Sequence, residues 1–202
     1  MHFDPAVASA IKELKQAEHE TIRLSDLASV ELRNQFVRIW AKDAEHGIPY
    51  LNATDLLSLL ALGIPASGQR YLSYKTETNS KGLVVHEGWL LMTCSGTIGR
   101  VFYVPQRLDG WAATHDIIRI VPHDQGITGY LYAWLSTPVA QAQILSHIHG
   151  GQIDHITDEQ VAGTLVPKLP AKQIREIHEK VMKALHAREQ AIQTLVNAWP
   201  DK

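Results

Sequence analysis

The chain has 202 residues, a net charge of −2 with histidines neutral, and 45% apolar residues. That is enough apolar material for a packed core and excludes global disorder, and no run approaches the ~18 apolar residues of a membrane span. The slight acidity argues against a free-standing nucleic-acid binder, but not against a module whose partner supplies most phosphate contacts.

The start, Met1-His2-Phe3-Asp4-Pro5, lacks a basic and apolar leader, so no secretory signal is expected. The single cysteine, Cys94, allows no internal disulfide and fits a reducing, cytoplasmic location. Asp4 can cap a first helix with Pro5 in its first turn, ending near Glu18 to Glu20. Thr21 to Val30 reads as extended. Gln35 to Trp40 is a predicted strand, with Phe36, Val37, Ile39 and Trp40 apolar. Gly47 to Leu51 is a turn feeding a short strand, and Asn52 or Thr54 can cap a helical turn over Asp55 to Leu60.

Gly63 to Gly82 breaks the pattern with a long, polar, turn-rich loop, and compact domains seldom keep such loops without a use for them. Strands are expected at Leu83 to Val85, Trp89 to Thr93, Ile98 to Val104 and Asp116 to Val121. Between the second and third lies Ser95-Gly96-Thr97-Ile98-Gly99-Arg100. Its glycines allow a sharp bend, and its hydroxyls and N–H groups suit a phosphate or a base edge. A plain β-turn explains the same residues. Gly129 to Leu135 and Pro138 to Ile148 read as helical, His149 to Gln152 as a loop, and Leu165 to Pro170 as a short apolar exit.

Ala171 to Ala198 is the clearest helix, free of Gly and Pro. Ile174, Val181, Arg188 and Leu195 recur every seven residues, with Ile177, Ala184, Ala191 and Ala198 as the companion row. Met182, Leu185, Ile192 and Val196 form a second apolar stripe. Two stripes imply one face buried against the chain's own domain or a partner and the other offered elsewhere; a helix packed only on its own domain is the alternative. Ile174, Ile177, Val181, Leu185, Ile192 and Leu195 are the expected interface residues.

The order of motifs resembles a known family. Gly47-Ile48-Pro49-Tyr50-Leu51 with Asp55-Leu56, then Gly88-Trp89-Leu90-Leu91, the Ser95 to Arg100 turn and His115 to Ile120 look like a target recognition domain. Gly129-Tyr130-Leu131 with Trp134-Leu135, Gly150-Gly151 and Leu165 to Pro170 continue the pattern. The helix after it is similar to the spacer helix of specificity subunits in type I restriction–modification systems. The resemblance implies an α+β fold: an N-terminal helix over 1–20, a β-rich recognition domain over 21–170 and a spacer helix over 171–202. It also implies a non-catalytic subunit without cofactor that reads double-stranded DNA and docks a methyltransferase subunit; a motor-nuclease subunit can join.

Two departures stand out. The chain has one recognition domain and one spacer helix where a full subunit has two of each, which implies either a half subunit that dimerises through this helix or a piece of a larger protein. Lys172-Gln173 stands where the family commonly has Glu-Gln.

If the module reads bases, Gln69, Arg70 and Tyr71 are the best donors, because Arg forks onto guanine and Gln pairs with adenine edges. Ser67, Ser73, Lys75, Thr76, Thr78 and Lys81 share that loop and suit phosphates. Arg33, Asn34 and Arg38 form a smaller basic group, Ser95, Thr97 and Arg100 could hold a phosphate, and His149 and Gln152 could face DNA. A solvated loop, an ordinary strand rim and a structural turn are the respective alternatives. His115-Asp116 is either a catalytic pair or a satisfied core histidine. His147, His149, Asp154 and His155 lack the ligand number and spacing of a zinc site. Cys94 lacks an adjacent base, and Gly96 and Gly99 do not open a phosphate-binding loop. A non-catalytic oligomerisation adaptor and a small cysteine or metal enzyme remain the rival classes.

Overall fold

The structure is a computed structural model that describes residues 20–66, 68–76, 80–148 and 155–198, together with Ser9 and Lys12. The predicted helix over Pro5 to Glu18 falls largely outside the described residues, as do Ser67, Thr78 and the stretch from His149 to Asp154.

The chain folds as an α+β domain with a long C-terminal helix. Among the described residues, ten strands form three sheets. The first is a two-stranded pair of β1 (Thr21–Arg23) and β10 (Leu165–Pro167), which ties the start of the domain to its exit. The second has the order β2-β9-β6-β7, from Ala28–Glu31, Ile117–Pro122, Leu90–Thr93 and Val101–Tyr103. The third has the order β3-β5-β4-β8, from Trp40–Ala41, Arg70–Ser73, Gly47–Leu51 and Ala112–Ala113. Its β4–β8 pair is parallel; the others are antiparallel.

The central strands β6 and β9 are buried on both faces, which is why they read as continuous apolar runs. One face meets Leu131, Leu135, Ile144, Val161 and Val166. The other meets Leu51, Leu56, Leu59 and Leu108. Arg119 interrupts the apolar run of β9 and is fully buried. Its guanidinium donates to the carbonyls of Ala113 (2.7 Å), Ile117 (2.8 Å), Leu83 (3.2 Å) and Thr114 (3.3 Å), so it stitches the two four-stranded sheets together. Burial lowers its pKa to about 10, which leaves it charged at neutral pH.

Helix α1 (Ala53–Leu62) starts at Asn52, whose side chain accepts from Asp55 N while Asp55 returns a bond to Asn52 N. It ends at Gly63 in the left-handed conformation. Helices α2 (Thr128–Leu135), α3 (Pro138–Leu145) and α4 (Asp158–Ala162) cover the second sheet. Helix α5 (Ala171–Asn197) lies along α2 and the turn at Gln125–Ile127. Gly129 lets the two helices touch, because a Cβ there would sit 2.6 Å from the His178 carbonyl oxygen.

Three expectations change. Gln35 to Ile39 is irregular and only Trp40–Ala41 pairs, because this segment crosses from the second sheet to the third. The supposed loop from Gly63 to Gly82 contains β5, which lies between β3 and β4. Leu83 to Val85 forms a 3-10 turn and one isolated bridge rather than a strand.

Candidate nucleic-acid interface

The crossing segment Leu32 to Ile39, the β8–β9 turn and the β6–β7 turn lie side by side. Arg38 Nε donates to the Tyr50 hydroxyl at 2.8 Å and Arg38 Nη2 to Thr114 Oγ1 at 3.1 Å. The same nitrogen is 3.9 Å from Asp116. Phe36 packs edge-on against His115 at 5.8 Å, and Ser95 bridges to His155. On the other side of Tyr50, Trp40 meets its ring edge-on at 5.2 Å, and the Arg70 guanidinium lies 5.7 Å from the Trp40 ring centre. Cys94 N donates to the Asp116 carbonyl at 3.5 Å, so the β6–β7 turn adjoins the β8–β9 turn, and a strip of contacts runs from Ser95 and His155 past His115 and Arg38, over the buried Tyr50, to Trp40 and Arg70. Trp40, Ala41, Lys42, Gln69, Arg70 and Tyr71 line an open cleft of about 240 Å³ at its end.

The fold uses the predicted residues unequally. Arg38 is tied to Tyr50 and Thr114, and Arg33 pairs with Glu31 at 2.7 Å. Arg70, Lys75 and Arg100 are exposed and form no side-chain hydrogen bond or ion pair among the described residues. Gln69 is exposed at the cleft, Tyr71 is half-buried on β5, and Asn34 is exposed on the crossing segment. Thr97 sits at the exposed tip of the β6–β7 turn. The turn itself is built by the protein: Thr93 Oγ1 donates to the Thr97 carbonyl and accepts from Arg100 N. Gln141 Nε2 donates to the Gly99 carbonyl at 2.8 Å, and Gly99 has φ +81°. Ser67, His149 and Gln152 lie outside the described residues, and so does the side chain of Lys81.

Trp40, Lys42 and Tyr50 were not among the predicted site residues. Reading Gln35 to Trp40 as a strand assigns Trp40 to the core, whereas it is 46% exposed. The local signal was its neighbour Lys42, two residues on in a period-2 pattern.

The chemistry of the titratable groups points away from catalysis by the residues considered earlier. Cys94 is buried, and desolvation with the Asp116 charge pushes its thiol up to about 11, so it stays protonated at neutral pH. His115 Nε2 is 3.3 Å from Asp116 Oδ1, and burial lowers its pKa below the ordinary 6.5 despite the carboxylate. Its Nδ1 is buried without a hydrogen-bond partner. Among the described residues, Asp43, Glu45 and His46 bring possible metal ligands within 4.8 Å of one another. They lie in the β3–β4 turn, where Asp43 Oδ1 is 2.6 Å from His46 Nδ1 and accepts from Glu45 N, bonds that the turn itself requires.

Helix α5 divides its residues differently from a simple seam. Ile174, Ile177, Met182 and Leu185 pack on the chain's own core, and Ile192 is buried against Gly63. Arg188 faces the domain and bonds to the end of α1. Val181 is half-buried, while Ala184 and Ala191 are exposed and Leu195 is 74% exposed. Among the six expected interface residues, then, only Val181 and Leu195 border the open face.

The family model for the type I restriction modification DNA specificity domain matches residues 16–197. The chain belongs to this family. Its fold is similar to that of the HsdS subunit from Thermoanaerobacter tengcongensis, at 15% identity and TM-score 0.60, covering 98% of this chain and 46% of that one. It is also similar to the S subunit of the type I system from M. genitalium, at 14% identity and TM-score 0.53, covering 98% and 50%. A third likeness, at 14% identity and TM-score 0.58, covers 94% of this chain and 46% of a chain in a structure describing assembly and conformational transition of the type I R-M system. The chain therefore spans about half the length of these three chains. No curated protein matches it.

Proposed function

We propose that this chain is a DNA sequence-recognition component of a type I-like modification complex. It is non-catalytic: it reads a duplex through the strip from Ser95 to Arg70, and methylation is carried out by a methyltransferase subunit docked on the helical side. A motor-nuclease subunit can join the same frame, and the assembly acts in the cytoplasm in defence against phage. The observation that carries the reading is the exposed set Gln69, Arg70 and Lys75, whose polar ends the fold leaves available beside an aromatic cleft. Arg and Gln are the side chains best matched to guanine and adenine edges in the major groove. Arg33, Asn34, Arg38, Thr97 and Arg100 extend the strip as phosphate and sugar contacts.

Two recognition units are needed to define a two-part site, and we assign the second to another copy of the chain. The exposed Ala184, Ala191 and Leu195 on α5, with the half-buried Val181 beside them, support this, because small residues such as the two alanines let helices approach closely.

The test is methylation sequencing in cells that express the full chain with its methyltransferase partner, followed by duplex binding of the purified complex. A defined motif is expected, with affinity that falls steeply as salt rises. A complex that methylates without sequence preference, or that binds DNA no better than the methyltransferase alone, overturns the reading in favour of an oligomerisation adaptor.

A further inference from the structure

The exposed arginines differ in how they are held. Arg33 pairs through Nη2 with Glu31, and Arg38 donates to Tyr50 and Thr114. Arg70 has no hydrogen-bond or ion-pair partner among the described residues, yet it is not simply adrift in solvent, because its guanidinium rests 5.7 Å from the Trp40 ring centre. A cation within about 6 Å of an indole face is held by the ring quadrupole, and this contact leaves all the N–H edges of the fork unused.

Trp40 is itself fixed from below. Strand register places it opposite Leu72, two residues along β5 from Arg70, so the two side chains share one face of the third sheet. Its ring meets Tyr50 edge-on at 5.2 Å and an interplanar angle of 81°. Tyr50 is 2% exposed, and its hydroxyl accepts from Arg38. The platform under Arg70 thus continues into the core, although Trp40 itself is 46% exposed. A tryptophan so exposed and so anchored is poorly explained by core packing alone.

We propose that Trp40 is the positioning residue for base readout: it holds the Arg70 guanidinium ready to fork onto a guanine edge, so that the Trp40–Arg70 pair fixes preference at one base of the target. This rests on the assignment of the strip as the DNA-reading surface. The gain is preorganisation. A long arginine normally loses rotamer freedom on binding, and a platform that restricts it beforehand reduces that loss.

The experiment is selection of duplexes from a pool with a randomised central segment, using the full chain in complex with its methyltransferase partner, for wild type, Arg70→Ala, Trp40→Ala, Trp40→Phe and the double alanine variant. Thermal unfolding of each variant reports whether it folds. Arg70→Ala is expected to reduce preference at one guanine by about tenfold or more, since a bidentate pair discriminates on that scale. Trp40→Ala should relax the same position, Trp40→Phe should restore most of it, and the double variant should be no worse than Arg70→Ala.

Trp40→Ala retaining full preference at the position that Arg70→Ala relaxes overturns the positioning role while leaving the DNA-reading strip intact. Relaxation at a different base, or a uniform loss across all bases, overturns it as well. Loss of all duplex retention by the wild-type complex instead sinks the strip assignment on which it rests. If Trp40→Ala fails to fold, Trp40→Phe and Trp40→Leu decide: phenylalanine must keep the preference and leucine must lose it.

Discussion

Arg188 donates from Nη2 to the carbonyl oxygen of Leu59 at 2.7 Å. The same nitrogen is 2.7 Å from the Leu60 carbonyl; both carbonyls belong to the last turn of α1, where that of Leu59 also accepts from the capping Gly63 N–H at 3.1 Å. The guanidinium also faces the negative end of that helix. Arg107 adds a bond to the Gly63 carbonyl at 2.9 Å and pairs with Glu189 on α5. The long helix is therefore clamped to the recognition domain at a second place, far along from its contact with α2. Replacing Arg188 by alanine should cost about 2 kcal/mol, because two charge-assisted bonds to the end of α1 are lost. Arg188→Lys should recover only part, since the shorter lysine side chain does not carry its ammonium as far as Nη2. Urea unfolding measures both, and a loss within about 0.5 kcal/mol would show the clamp to be incidental.

Gly129→Ala inverts a usual rule. Within a helix this change ordinarily stabilises by about 1 kcal/mol. Here the new methyl would meet the His178 backbone at 2.6 Å, and neither helix backbone can yield cheaply. Gly129 N also donates to His178 Nδ1 at 3.1 Å, so separating the helices breaks that bond. A net destabilisation of about 1–3 kcal/mol is expected, read as a lowered Tm. A raised Tm would mean that α2 and α5 are not in close contact at this point.

The acid sensitivity of the domain should carry a signature of His115. Its pKa in the folded chain lies below 6.5, mainly through burial. Between that lowered value and the unfolded value the unfolded chain binds more protons, so stability rises with pH across this window. As far as His115 is concerned, Tm should fall as pH drops from 7 through 6.5 and then level off. His115→Gln should flatten that part of the profile. An unchanged slope would assign the sensitivity to another group.

The two faces of α5 predict opposite consequences of a charge. Leu195→Glu or Ala184→Glu lies on the exposed face and should weaken self-association by about tenfold or more while leaving the fold intact, because an apolar seam does not solvate a carboxylate. Ile177→Glu should unfold the chain or lower its Tm sharply, because Ile177 packs on the chain's own core. Sedimentation velocity combined with thermal unfolding separates the cases. A wild-type chain that stays monomeric at high concentration would assign the exposed row to a different subunit.

The elements that were legible in sequence are those whose signals are local. Asn52 and Asp55 announce the start of α1 because a capping box lies within four residues. The long helix is visible from its composition, and the structure has it at Ala171–Asn197, one residue short of the predicted end. Strands β6 and β9 show themselves as apolar runs because both faces are covered. Gln35 to Trp40 misled for the same reason: an apolar run reports the possibility of burial, not the presence of a pairing partner. Within it Val37 is 81% exposed while Arg38 turns inward to Tyr50.

Sequence by itself determined the long helix and the residue types able to meet a base edge, which are written in spacing and composition, while the family and its α+β class were legible as a resemblance carried by an ordered set of motifs. Tertiary structure decided which of those residues remain available. Arg38 and Arg70 are the same side chain, and nothing local separates them. One is drawn to Tyr50 and Thr114 by strands distant in the chain, whereas the other is left over Trp40. The helix obeys the same logic: its apolar spacing allows either face to be buried, and only the positions of Gly63, Gly129 and α2 choose Ile192 and Ile177 for the inside and leave Leu195 out.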